Sequence, residues 1–440
     1  MTETPNWDLL VLGKSLLTME PDTGPIPNGA VAISGGRIVA VGEASDLLEM
    51  APTCEVLNAS NCLVMPGLVN THSHLAMSLL RGLADDLPLK TWLEGHIWPA
   101  ESHHVNRESV AVGSRLAAAE QLLAGVTTTT DMYFFADAVC EALVEAGIRG
   151  VVAESLIDAS TPRCSGPEEM LARQRQLCEE WKDHPLITPS VAAHAPYTVG
   201  PTNLVKEAEL ADELAVPLQI HLAETRWEVE TLLEKRGATP VAYLEDIGFL
   251  SDRVVAAHCV HVSREDIETL AENNVGVSHN PVSNLKLSSG VAPVPKMLEA
   301  GIKLGLGTDG AASNNGLDLL RDLQIAALLH KGTSGDPTTL PAQSILEMAT
   351  IDGARVLGLS ESTGMITVGR NADLACFALD TAHATPMYDP YSHMVFAARA
   401  ADARHVVVQG KVVVRDRELQ TMDLKEIRAK VNEIAKGIRG

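Results

Sequence analysis

Apolar residues fall along the chain in two patterns. Between residues 67 and 309, short apolar runs alternate with longer helical patterns. The runs are GLVNTHSH (67–74), GVTTTTDM (125–132), GVVAESLID (150–158), LITPSVAAH (186–194), PLQIHLAE (217–224), VVAAHCVH (254–261), VGVSHN (275–280) and IKLGLGTD (302–309). The helical stretches between them are 107–124, 136–147, 166–182, 202–215, 227–237, 264–273 and 293–300. Strand–helix alternation implies parallel pairing. Eight such units predict a closed (β/α)8 barrel of the TIM type, although a doubly wound sheet shares the local pattern.

The second pattern flanks the first. DLLVLGKSLLTM, GAVAISGGRIVAVG and CEVLNASNCLVM are short β segments broken by Gly and Pro, and ADLACFALD (372–380) and HVVVQGKVVV (405–414) repeat the style near the other end. A polar helix is expected at 423–437. The division predicted is therefore a composite β-sandwich domain from 1–66 and 372–440 and a (β/α)8 barrel over 67–371. The segment 75–124 is too long for a simple βα connection, and 81–108 reads as a loop that covers something.

Composition narrows the partners. With 440 residues and 46% apolar content, the chain is long enough for one large domain and a smaller one. A net charge of −23 argues against a nucleic-acid partner and against an anionic membrane surface. No apolar run reaches the ~18 residues that span a bilayer. MTETPNWDLL lacks the basic and apolar regions of a secretory signal, and the seven scattered cysteines contain no C-x-x-C, which fits reduced thiols in a cytoplasm.

Chemistry sits at the ends of the runs. His72 and His74 stand one residue apart, and in a strand such a pair shares a face. Alone that is a weak signal. But His194 ends the fourth run, His221 and Glu224 end the fifth, His258 lies near the end of the sixth, and Asp309 ends the eighth. Barrel strands deliver these ends to one rim, so the residues converge there. The convergence predicts a metal site from His72, His74, His221 and Asp309. Three imidazoles and a carboxylate suit Zn(II), and also Fe(II), Mn(II) or Co(II). TPSVAAHAPYT offers no Lys, Glu or Asp to bridge a second ion, so one ion is expected. A cation with an open position acidifies water, Glu224 and His258 are candidate proton carriers beside it, and Asp309 can accept a proton from the water. The expected class is metal-assisted hydrolysis at an electrophilic carbon.

At this point the chain resembles the amidohydrolase superfamily. PGLVNTHSHL is similar to its P-G-x-(I/V)-(N/D)-x-H-x-H signature. HLAE, AAHCVH, SHNPVSNLKL and LGTDGAASNN resemble the later barrel signatures, and ATIDGARVLGLSESTGMITVGRNADL resembles the exit from the barrel. Within the superfamily the likeness is greatest to 5′-methylthioadenosine/S-adenosylhomocysteine deaminases. The resemblance implies one zinc ion and hydrolytic deamination of an adenine nucleoside at C6. Glu224 would protonate N1, and His258 and Asp309 would orient and deprotonate the water. It also implies substrate contacts: Trp92 and Glu101 in TWLEGHIWPAES, with Glu101 on the ribose diol, His194 on the purine ring, and Ser313. A homo-oligomer, dimer or tetramer, is implied as well.

Relatives that accept S-adenosylhomocysteine carry arginines after the third strand for its carboxylate. Here Glu154 stands there and only Arg163 is near, so methylthioadenosine is the expected substrate, before S-adenosylhomocysteine or adenosine. Leu75, Met77, Met132 and Phe134 are apolar candidates around its tail. Rival readings are a guanine or oxidised-purine deaminase, a triazine chlorohydrolase of the same superfamily, and a noncatalytic amidohydrolase-like scaffold. The last usually lacks metal ligands that this chain retains.

Overall fold

Eight parallel strands form a barrel: β1 (Leu68–Val69), β2 (Val126–Tyr133), β3 (Arg149–Leu156), β4 (Ile187–Pro189 and Val191–Ala193), β5 (Leu218–Leu222), β6 (Val254–His258), β7 (Gly276–His279) and β8 (Lys303–Leu306). They pair in chain order. The seam between first and last closes through single backbone bonds, Thr71 N to Leu306 O and Asp309 N to His72 O, both 2.9 Å. The structure is a computed structural model and describes residues 6–51 and 53–439. Every residue of β2, β3, β5 and β6 is buried, because helices cover the outside and packed side chains fill the inside. With both faces covered, these strands do not alternate apolar and polar residues, and β2, VTTTTDMY, even buries four threonines and an aspartate. Pro189 and Ser190 split β4, since proline has no N–H to give to a ladder.

The helices fall where the periodicity puts them: Arg107–Leu123, Ala136–Ala146, Pro167–Trp181, Pro201–Leu214, Arg226–Arg236, Arg264–Glu272 and Val294–Glu299. Local chemistry fixes their starts. The Asn106 side chain accepts from Ser109 N, and Thr225 Oγ1 accepts from Glu228 N. The expected loop at 81–108 is largely helical instead: Leu89–Trp92, Leu93–Ile97 in π geometry and Trp98–His104 run one into the next. Leu89, Trp92, Leu93 and Ile97 pack inward and hold this lid down on the barrel mouth. Gly95 and Pro99 hid the apolar spacing.

Strands from both ends of the chain build the small domain. Leu9–Leu16, Gly29–Ser34, Arg37–Glu43 and Glu55–Pro66 join Leu374–Ala378, Ala403–Val408 and Lys411–Arg415 in one mostly antiparallel sheet. Leu9–Leu16 and Glu55–Pro66 alone among these run parallel. Leu9, Val11, Val31, Ile33, Leu57, Leu374 and Val407 share one core. Arg149 at the start of β3 reaches out to Asp373, with Nε 3.1 Å and Nη2 3.4 Å from its two carboxylate oxygens. This buried, two-pronged pair ties barrel to sheet, and Thr363 Oγ1 and Gln409 N satisfy the same carboxylate. The helix Leu424–Arg439 packs on Arg107–Leu123.

Candidate active site

The side chains singled out in the sequence meet at the carboxyl ends of the strands. His72 and His74 lie just past β1 rather than inside a strand, which corrects the expectation of a shared strand face. The chain turns there because Asp131 Oδ1, on β2, accepts from Leu75 N at 2.6 Å. The two rings still converge, 4.9 Å apart and nearly perpendicular. His74 Nε2 lies 3.1 Å from His221 Nε2, and Asp309 Oδ1 lies 3.4 Å from the Nε2 atoms of both His72 and His74. The carbonyl of Met132 faces His74 Nδ1 at 2.8 Å and that of His194 faces His221 Nδ1 at 2.7 Å. Each carbonyl accepts an Nδ1–H and thereby turns an Nε2 lone pair toward the centre.

Two lone pairs 3.1 Å apart repel unless a cation lies between them. His72 Nε2 is buried with no hydrogen-bond partner, an arrangement that costs energy unless something shared relieves it. Burial pushes His72 down to about 4 and also lowers His74 and His221, which keeps the imidazoles neutral, the form that ligates. Burial works to raise Asp309, but the His72 ring 3.4 Å away and the positive charge that His72, His258 and His74 would carry if protonated outweigh it and hold the group well below its ordinary value, as a carboxylate. Three neutral imidazoles and a carboxylate on one centre fit a zinc ion.

Beside this cluster, Glu224 follows β5 with Ala223 in the left-handed region at φ 50°. Glu228 holds that turn, accepting the N–H groups of both Ala223 and Glu224 at 2.9 Å. His258 and Asp309 are left-handed too, at φ 77° and 62°. Non-glycine residues in this region cost of order 1 kcal/mol or more each, and three strand ends carry such strain where the chemistry gathers. His258 Nε2 stands 4.0 Å from Glu224 Oε2. Burial raises Glu224 above the usual carboxylic acid value, with the His258 charge working against it. Ser313 Oγ donates to Asp309 Oδ2 at 2.7 Å.

One cavity joins these groups to the lid. His74, His194, His221, Glu224, His258, Asp309 and Ser313 form its floor, and Trp92 and Glu101 reach it from the lid. His72 is buried behind the floor. Glu101 accepts the Tyr133 hydroxyl at 2.6 Å, and burial pushes its carboxyl up to about 7 despite that bond. Met77, Met132 and Phe134 line the cavity as expected, whereas Leu75 does not.

The expectation for Glu154 and Arg163 is overturned. Neither lines the cavity. Successive residues of β3 face opposite ways, so Ser155 lines the cavity and Glu154 points to the other side. There Glu154 accepts Phe135 N and Ala136 N, at the start of the helix Ala136–Ala146. Arg163 is engaged by Asp137 and lies 3.5 Å from Glu154. Residues that the sequence reading missed are Tyr133, Ser155, Tyr197 and Glu228. Tyr133 follows directly on the second run, which was ended one residue early. Glu228 stands three residues after Thr225, the N-cap and acid spacing of a helix start.

The profile of the Amidohydrolase family matches residues 63–413. A protein of Syntrophobacter fumaroxidans named 5-methylthioadenosine/S-adenosylhomocysteine deaminase is 46% identical over 98% of both chains. A protein of Methanosarcina acetivorans named 5′-deoxyadenosine deaminase is 43% identical over 96% of both. Among solved structures, an adenosine deaminase from Xanthomonas campestris with bound zinc superposes with a TM-score of 0.97 at 38% identity, covering 98% of this chain and 99% of the other. This chain belongs to the amidohydrolase family.

Proposed function

We propose that this protein is a zinc-dependent hydrolase that deaminates adenine nucleosides at C6, with 5′-methylthioadenosine as preferred substrate and 5′-methylthioinosine and ammonia as products. The observation that carries the reading is the placement of Glu101 and Glu224 in one cavity. One acid is suited to a ribose diol and the other to a ring nitrogen. His72, His74, His221 and Asp309 would hold the ion. Bound there, it would lower the pKa of a water molecule toward neutrality.

The chain's own groups do the rest. Asp309 and His258 take the proton from the attacking water. Addition of oxygen at C6 pushes electrons onto N1, and Glu224, raised by burial, delivers a proton there. The C6–N bond then breaks, the amino group takes up a proton and departs as ammonia, and the ring becomes the hypoxanthine form. His194 and Trp92 position the base and sugar.

The tail preference rests on a different observation from the one expected. Beyond Glu101 the cavity opens into a vestibule lined by Trp98, Phe134, Ile157, Asp158, Ala159 and Pro162. No lysine or arginine is among its described lining residues, and Asp158 would repel a carboxylate. A neutral thiomethyl group suits it. No described helix is long and apolar enough to cross a membrane.

The test follows ammonia release from 5′-methylthioadenosine, adenosine, S-adenosylhomocysteine, adenine and guanine. The highest kcat/KM is expected for 5′-methylthioadenosine. Glu101→Ala should lower that value about 100-fold, the loss of two hydrogen bonds to a charged acceptor. The ribose contact needs the carboxylate, and Glu101 sits at about 7. KM for nucleosides should therefore rise as pH falls through 7, and Glu101→Gln should flatten that rise. A preference for guanine or adenine, with Glu101→Ala harmless, would establish a base deaminase instead. Preference for S-adenosylhomocysteine would overturn the reading of the vestibule.

A further inference from the structure

The three groups that move protons in the proposed reaction are all held by one short stretch, residues 280–289. It follows β7 and contains the six-residue helix Pro281–Lys286. Ser283 Oγ donates to Asp309 Oδ2 at 2.6 Å. Ser289 Oγ donates to Glu224 Oε1 at 3.0 Å. Asn284 Oδ1 lies 2.8 Å from His258 Nδ1. All three side chains are buried. None is a member of the proposed ligand set, and none lines the cavity.

We propose that this stretch positions the proton-transfer groups, and that Asn284 sets the ring of His258 by accepting its Nδ1–H, leaving Nε2 with a lone pair toward Glu224. An imidazole has two neutral tautomers, and its second nitrogen decides which one faces the reaction. A second asparagine competes for the same atom: Asn280 Nδ2 lies 3.3 Å from His258 Nδ1 and would favour the opposite tautomer. The Asn284 contact is shorter by half an ångström and close to the ideal N–H···O length, so it governs. The Asn280 contact is long, and that amide is already tied through its oxygen to Ser278 Oγ at 3.0 Å. His258 sits in a left-handed backbone, and Cys259 after it as well, at φ 45°. The strand end therefore aims the side chain, and the asparagine fixes its rotation. Without that bond the Asn280 amide would donate to Nδ1 and favour the tautomer with Nε2–H toward the cavity, and the ring could not take a proton there.

This inference rests on the proposed function, so its test has two arms. In the first, zinc-loaded wild-type, Asn284→Leu and Asn284→Asp chains are compared on 5′-methylthioadenosine. Asn284→Leu, similar in size but unable to accept, should lower kcat about 100-fold, the upper range for loss of a partner behind a functional histidine. KM should stay within about threefold, since Asn284 does not touch the cavity. Asn284→Asp keeps the oxygen and should recover kcat to within about tenfold of wild type. In the second arm, NMR spectra of chains carrying isotope-labelled histidine read the His258 tautomer directly, without substrate. The Nδ1–H form should dominate in wild type and in Asn284→Asp and be lost in Asn284→Leu. If Asn284→Leu does not fold, Asn284→Ala, which also cannot accept, takes its place in both arms. An unchanged kcat in the non-accepting variant, an effect on KM alone, or the opposite tautomer in wild type would overturn the proposal. A wild type inert on every nucleoside but with the expected tautomer would sink the proposed function and leave the Asn284 assignment standing.

Discussion

Glu224→Gln is expected to lower kcat on 5′-methylthioadenosine by about 10³- to 10⁴-fold while leaving fold and metal content unchanged. General acid–base residues contribute on this scale. Glutamine matches the size of glutamate and can still accept from Ser289 Oγ, which is 3.0 Å from the carboxylate. It has no proton to deliver to N1 and cannot relay one to the leaving amine. The loss should appear in kcat far more than in KM, because the contact strengthens only as charge develops on the ring. Steady-state ammonia release with elemental analysis of the same sample checks both halves. A variant that keeps more than about a tenth of wild-type kcat would move the acid role to another residue.

Stripping the cation is expected to abolish turnover and also to destabilise the chain. Without an ion, lone pairs on His74 Nε2 and His221 Nε2, 3.1 Å apart, would repel, and His72 Nε2 would have no hydrogen-bond partner in its buried setting. An ion that binds only the folded chain stabilises it by about 4 kcal/mol when present at ~1,000 times its dissociation constant. Treatment with a chelator should therefore lower Tm by several degrees, about 2–4 °C per kcal/mol for a large domain. Adding back zinc should restore Tm and turnover together. The pH dependence of rebinding has a worked sign. The ligand histidines are lowered by burial, to about 4 for His72, so protons compete with the ion only in acid. Near neutral pH the site is ready to bind. A chelated sample with unchanged Tm and activity would remove the ion from the account.

Much of the site was legible because barrel strands write their chemistry in one place. Where a buried strand is mainly apolar, as in Val254–His258, an imidazole or acid at its end stands out. His72, His74, His194, His221, Glu224, His258 and Asp309 each end or follow such a run, and all face one cavity or lie directly behind it. What was not legible depends on details finer than a run. Glu154 and Ser155 are neighbours, and a shift of one residue exchanges inside for outside. The sequence reading placed Glu154 beside the substrate, and the structure uses it to cap a helix. The lid at 89–104 was read as loop because its helical turns are short and contain Gly95 and Pro99. Ser283, Asn284 and Ser289 carry neither charge nor a spacing that marks a site. Their roles exist only through atoms 26 to 65 positions away in the chain.

The central claim is that four side chains spread along the chain hold a single cation at the barrel mouth. Anomalous diffraction from crystals of zinc-loaded protein, recorded at the zinc edge, tests it most directly. The account predicts one peak per chain, about 2.0–2.2 Å from the Nε2 atoms of His72, His74 and His221 and from an Asp309 carboxylate oxygen. A peak elsewhere, two peaks at the mouth, or His221 or Asp309 turned away from the ion would contradict it.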